Sequence, residues 1–150
     1  MKCVFAAEQR LHNPRSFIVA GKPAPMPECV ERIDMLLEGL ALLNLSTFEP
    51  EPVNLQELER VHTPRYLEFL QTLRQRWSRQ SEASDYPIPN VHALGRDSLP
   101  PPNYPDSVVG QVGWHFGDGS APFGDGTLEA ALASAATAKH AAGLVAHGER

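Results

Sequence analysis

The stretch that decides the reading runs from Tyr104 to Ala131, YPDSVVGQVGWHFGDGSAPFGDGTLEAA. A buried-looking run (Val108, Val109, Val112, Trp114) gives way to a loop carrying Gly117, Gly119, Gly124 and Gly126, with Asp118 among them. Glycines permit backbone turns that other residues resist, so a carboxylate set between two of them is presented rather than packed. Thr127 to His147 follows as an Ala-rich segment of strong helix propensity. Its predicted inner side carries Leu128, Ala131, Leu132, Ala135 and Ala138. The loop GDGSAPFGDG is no phosphate cradle, because it lacks the closing Gly-Lys-Ser/Thr.

Upstream of this stretch, Ser78 to Asp106 holds six prolines, few aliphatic residues and no repeating period. A structureless run of this length is uncommon inside a compact domain. Tyr86, Ile88, Val91, His92 and Tyr104 argue for an ordered excursion rather than a linker. Before it, Thr63 is a good N-cap and Pro64 suits the first helical position. Tyr66, Leu67, Leu70 and Leu73 then share a face, flanked by Phe69 and Trp77, which predicts an amphipathic helix over 63–77. Leu55 to Val61 suits a short helix with Leu58 inward, and 46–53 has room for a short edge strand despite two prolines.

The N-terminal third begins with a short apolar run, Lys2 to Ala7, read as a buried strand. Glu8 to Pro25 reads as a long loop because of Asn13-Pro14, Gly21 and two further prolines. A helix opens at Pro27, and Ile33, Leu36, Leu37, Leu40 and Leu43 recur at the spacing of one buried face as far as Asn44. Glu28 and Arg32 stand four apart, in position for an ion pair.

The chain has 150 residues, enough for one core, with 42% hydrophobic and 21% charged residues, as in ordinary globular proteins. Thirteen basic and 18 acidic residues give a net charge of −5, which argues against a nucleic-acid-binding surface. Cys3 and Cys29 read as two free thiols of a reducing cytoplasm. Met1 leads straight into a strand-like run, so no leader is expected, and no apolar run is long enough to span a membrane. Six histidines occur, but none has a short zinc-ligand spacing. His140 and His147 lie two helical turns, about 10 Å, apart, too far to share one ion.

Several segments carry a family resemblance. MKCVFAAEQRLHNPRSFIVAG, PECVERI (27–33), VHTPRYLEFL (61–70), IPNVHALGR (88–96) and the helix start GTLEAA (126–131) follow one another in order. Together they resemble the zinc-dependent histone deacetylase and acetylpolyamine amidohydrolase superfamily. The resemblance implies an α/β fold, the N-terminal part of an arginase/deacetylase-like three-layer α/β/α domain with a mostly parallel sheet. Residues 1–150 would be the N-terminal portion of one such domain, with 78–106 a projecting Pro-rich loop.

The resemblance also implies the activity of the parent: hydrolysis of the amide of an acetylated amine, of acetylpolyamine or acetyl-lysine type. Zinc would be the cofactor, yet no catalytic residue and no zinc ligand of the family falls in this chain, so the catalytic C-terminal portion is expected beyond Arg150. Asp118, His92, Phe17 and Phe116 would line the substrate rim, while Glu28, Arg32, His62 and Tyr66 would belong to structural motifs. Two readings of Asp118 stand side by side, a rim carboxylate for a cationic substrate and a turn aspartate bonding its own backbone. Polyamine-preferring relatives carry glutamates where the resemblance places Val109 and Ser120 of this chain, which leaves the amine open. Residues 78–106 would join two subunits of a homo-oligomer. The alternative is a truncated, non-catalytic relative that serves as an interaction module.

Overall fold

The computed structural model describes residues 1–89, 92, 103–117 and 119–149. In chain order the elements are β1 (Cys3–Val4), a 3-10 turn (Ala7–Leu11), β2 (Ser16–Val19), β3 (Lys22–Pro25), α1 (Glu31–Leu42), β4 (Thr47–Phe48), α2 (Leu55–Leu58), α3 (Pro64–Trp77), α4 (Val108–His115) and α5 (Thr127–Ala146). The chain is α/β and divides into two units. Unit one comprises Met1–Asn13, Pro27–Val61 and Asp125–Arg150, and unit two comprises Pro14–Met26 and His62–Gly124.

In unit one, β1 and β4 pair in parallel, Cys3 against Thr47 and Val4 against Phe48, with α1 in the connection between them. A parallel pair requires such a crossover. The Phe5 N–H extends the ladder by donating to the Phe48 carbonyl at 2.9 Å. Helix α5 lies along the 3-10 turn. Gln9 donates to Thr137 Oγ1 at 2.8 Å, and His12 Nδ1 meets Thr127 Oγ1 at 3.0 Å. Gly126 caps α5 at φ 76°, a left-handed conformation that glycine adopts without strain. The buried apolar side chains of this unit are Ala6, Pro50, Ala130 and Ala136.

Two expected faces are corrected here. Of the stripe expected to be buried, Ile33, Leu37 and Leu40 of α1 are only half-buried, Leu36 and the capping Leu43 are exposed, and no residue of α1 is fully buried. On α5 the buried line runs through Ala130 and Ala136, while Ala131 and Ala138 face solvent. Alanines spread over all sides of this helix leave its inward direction to its neighbours, here the 3-10 turn.

Unit two holds the larger side chains. Leu67, Phe69, Leu73 and Trp77 of α3 pack with Val108 and Val112 of α4 and with Phe123, all buried. Phe69 is thus central rather than flanking. Thr63 caps α3 as expected, its Oγ1 accepting from the Tyr66 N–H at 3.3 Å. The 108–115 run is helical because Ser107 caps it, accepting from the Gly110 N–H at 3.1 Å, and because Val108, Gln111, Val112 and His115 recur at helical spacing.

Within the segment expected to be loop, β2 and β3 form an antiparallel hairpin across Ala20-Gly21. Both turn residues have positive φ, 49° and 77°, as a two-residue hairpin turn demands. Pro23 faces Ile18 and Pro25 faces Ser16, at alternate positions where no amide proton is needed.

Candidate functional site

The residues expected at a substrate rim, Phe17, His92, Phe116 and Asp118, all fall within the ranges of unit two. Phe17 lies on β2, half-buried and opposite Ala24. Next to it, Ile18 is fastened to the glycine loop. Its N–H donates to the Gly119 carbonyl at 3.1 Å, and its own carbonyl accepts from Ser120 Oγ at 3.0 Å. A Cβ on Gly119 would stand 3.1 Å from the Ile18 side chain, a tight contact that would push the hairpin and the loop apart by a few tenths of an ångström. Asp118, between Gly117 and Gly119, lies outside the described residues. His92 is exposed, but residues 90–91 and 93–102 around it lie outside the described set.

Phe116 ends α4 and joins an aromatic row. Its ring centroid is 5.5 Å from Phe69, edge-on, and 5.9 Å from Phe123. The row continues through His115, 4.5 Å from Phe69 and 5.3 Å from Tyr66, whose ring lies 5.4 Å from the exposed His62. His62, Tyr66 and Phe116 are therefore brought together through Phe69 and His115. Glu28 and Arg32 belong to unit one and form an exposed ion pair one helical turn apart.

At the polar end of the row is a group of residues that sequence reasoning missed. Tyr104 Oη and His115 Nε2 are 2.9 Å apart. The Arg65 guanidinium stacks over the Tyr104 ring at 4.6 Å from its centroid, and Trp114 meets the same ring edge-on at 5.4 Å. Burial lowers the pKa of His115, and the Arg65 cation lowers it further. Burial raises the Tyr104 phenol, against the opposing pull of Arg65 and Arg76. Both partners are thus neutral near pH 7, and the phenol donates to Nε2 when the ring carries its proton on Nδ1. Such a pair fixes the orientation of both rings and is not a charged nucleophile. The signal for it was Tyr104 and His115 on either side of a capped helix, visible only once 108–115 is read as helical.

The start of the Pro-rich stretch is fastened to α3. Trp77 Nε1–H donates to the Ser84 carbonyl at 2.9 Å, Arg74 to the Asp85 carbonyl at 2.8 Å, and Tyr86 Oη accepts from the Arg15 N–H at 2.9 Å. Among the described residues no group of three or more His, Cys, Asp or Glu side chains is placed to hold a metal ion, so these residues do not themselves fit a zinc site. Cys3 and Cys29 are unpaired thiols. No described helix is long and apolar enough to cross a membrane.

The histone deacetylase domain matches residues 26–150. The chain belongs to the histone deacetylase family. Within that family it is 30% identical over 148 residues to an acetylpolyamine amidohydrolase of Burkholderia pseudomallei, covering 99% of this chain and 42% of the relative. It is also 30% identical over 151 residues to acetylpolyamine amidohydrolase 1 of Pseudomonas aeruginosa, covering all of this chain and 43% of that protein. A crystal structure of the acetylpolyamine aminohydrolase from Burkholderia pseudomallei superposes with a TM-score of 0.86 at 30% identity, over 99% of this chain and 42% of that one. The α/β deacetylase fold thus extends through nearly the whole chain, which spans less than half the length of these family members.

Proposed function

We propose that this chain supplies the substrate-rim loops of a zinc-dependent amide hydrolase that acts on a small acylated amine, as one portion of a single deacetylase-like domain. The similarity to acetylpolyamine amidohydrolases over 99% of the chain carries this reading. In it, Phe17 and Phe116 give the rim an apolar wall suited to methylene groups, and the neutral Tyr104–His115 pair supplies a hydrogen-bonding edge. Asp118 and His92 complete the rim, the carboxylate drawing in an ammonium-bearing substrate through Coulomb attraction. His62 and Tyr66 hold the entry of α3, and Glu28 and Arg32 that of α1. Zinc, when bound, polarises the amide carbonyl and activates water, and its ligands come from outside the residues of this chain. Residues 78–106 contact a second subunit, and the unpaired thiols suit a reducing cytoplasm.

The test is hydrolysis by the full-length protein that contains this chain, with and without zinc, on an N-acetylated diamine and on an acetyl-lysine peptide. Zinc-dependent release of acetate is expected. Asp118→Asn is expected to raise KM for the cationic substrate about tenfold, the loss of roughly 1.4 kcal/mol of binding, and to leave kcat near its original value. No hydrolysis of either substrate under any metal condition would overturn the reading in favour of an interaction module.

A further inference from the structure

Arg65 stands where helix stability gives no reason for it. It is the second residue of α3, at the end where the helix dipole is positive, and the first turn of α3 carries no acid to offset it. Its side chain is nevertheless held in one place. The guanidinium lies over the Tyr104 ring, 4.6 Å from the centroid. That ring is itself fixed, edge-on by Trp114 at 5.4 Å and through its Oη by His115 Nε2 at 2.9 Å. His115 in turn packs on Phe69 at 4.5 Å and Tyr66 at 5.3 Å, rings of the same helix that carries Arg65.

Every one of these supports is uncharged. Burial keeps the Tyr104 phenol and the His115 imidazole neutral near pH 7. Arg65 forms no ion pair among the described residues, and neither does Glu68, which is exposed one turn further along α3. Arg76 repeats the pattern. Its Nη1 donates to the buried Gln111 Oε1 at 2.6 Å, and it adds a second positive charge to the field at Tyr104. Stacking uses the face of the Arg65 guanidinium and leaves its N–H donors in the plane, in the fork that matches a carboxylate with two parallel hydrogen bonds. A cation with a fixed plane and no counter-charge is complementary to an oxyanion. The assembly also adjoins the apolar wall of the proposed rim, because Phe116 follows His115 and meets Phe69 at 5.5 Å.

We infer that Arg65 is a specificity-determining residue: its guanidinium, set by Tyr104 and His115, binds a carboxylate at the far end of the acylated amine. The inference rests on the function proposed above and narrows the substrate to acylated amines that carry a carboxylate. Acylated amino acids are of this class, and they keep the ammonium as well. Tyr104 and His115 act through Arg65 and are positioning residues.

The experiment uses the full-length protein that contains this chain and a matched series of acetylated amines. They are ε-acetamidohexanoate, N-hexylacetamide and N-acetyl-diaminopentane, whose tails are anionic, neutral and cationic. Affinity is read by calorimetry on zinc-free protein, and kcat and KM on protein supplied with zinc. The anionic ligand is expected to bind about tenfold more tightly than the neutral one at low salt. The gap narrows as salt rises, because Arg65 is exposed. Arg65→Gln erases the gap through KM, leaves kcat near its original value and does not weaken the cationic ligand. Tyr104→Phe keeps a ring beneath Arg65 but frees it from His115, and weakens the anionic ligand alone, by about threefold. Arg79→Gln, which removes another exposed cation just past the end of α3, changes none of these values. Equal affinity for the anionic and neutral ligands overturns the inference, as does an anionic preference that survives Arg65→Gln. The preference without hydrolysis of any of the series under any metal condition would sink the proposed function and leave the carboxylate site standing. Hydrolysis indifferent to the tail would do the reverse.

Discussion

Gly126→Ala tests how α5 is seated. The residue sits at φ 76°, and an added Cβ would stand 2.8 Å from both the Cβ and the carbonyl oxygen of Leu11. The left-handed backbone costs an alanine about 1–2 kcal/mol, and forcing a methyl against fixed backbone costs about 1–3 kcal/mol. Reduced entropy of the unfolded chain returns about 0.4–1 kcal/mol. The net loss is about 2.5 kcal/mol, so at a urea slope near 2 kcal/mol per molar the midpoint falls by about 1 M. Two glycines separate the contributions. Gly148 shares the positive φ, at 74°, but has nothing within 4 Å of its Cβ position, so Gly148→Ala carries the backbone cost without the clash. Gly143 lies inside α5 with nothing within 4 Å, and alanine there stabilises by about 0.5–1 kcal/mol. Urea unfolding followed by far-ultraviolet circular dichroism gives all three midpoints. A Gly126→Ala midpoint at or above that of Gly148→Ala would refute the role assigned to the Leu11 contact.

Burial sets a second contrast. Leu73 is fully enclosed and Leu36 is 67% exposed, so Leu73→Ala costs about 3–4 kcal/mol and Leu36→Ala less than about 0.5 kcal/mol in the isolated chain; equal losses in thermal melts would contradict the assigned core. Acid sets a third. Burial holds the folded pKa of His12 below its usual 6.5, and burial with Arg65 does the same for His115. The unfolded chain takes up these protons first, so their full stability is present above about pH 6.5 and is lost as pH falls toward the folded pKa values. Tm is expected to drop between pH 7.5 and 5.5, and less steeply in His115→Gln; an unchanged slope in that variant would remove His115 from the account.

The parts of the fold that were legible carried local chemistry. Thr63-Pro64 marks the start of α3 by cap and ring geometry, and the alanine content of α5 fixes helix whatever its surroundings. What failed was direction and partnership. The leucines of α1 have the spacing of a buried face, yet spacing cannot say whether a neighbour exists to bury them. The hairpin 16–25 was hidden by Pro23 and Pro25, which signal loop unless their alternation with Lys22 and Ala24 is counted against the Ala20-Gly21 turn. Of the aromatic row in unit two, Phe116 and Tyr66 were identifiable from the motifs that contain them. Tyr104 and Arg65 were not, because 39 positions separate them in sequence and only the packing of α3 against α4 brings the cation over the ring.

The chain has two tryptophans, and both belong to unit two: Trp77 buried with its indole bonded to Ser84, and Trp114 edge-on to Tyr104. Intrinsic fluorescence therefore watches one unit and is blind to the other, whereas circular dichroism sees the helices of both. Melted together, the two signals form a built-in pair of reporters. Their coincidence would mean that the units unfold as one cooperative body, and a gap between them would measure in degrees how far unit one stands on its own.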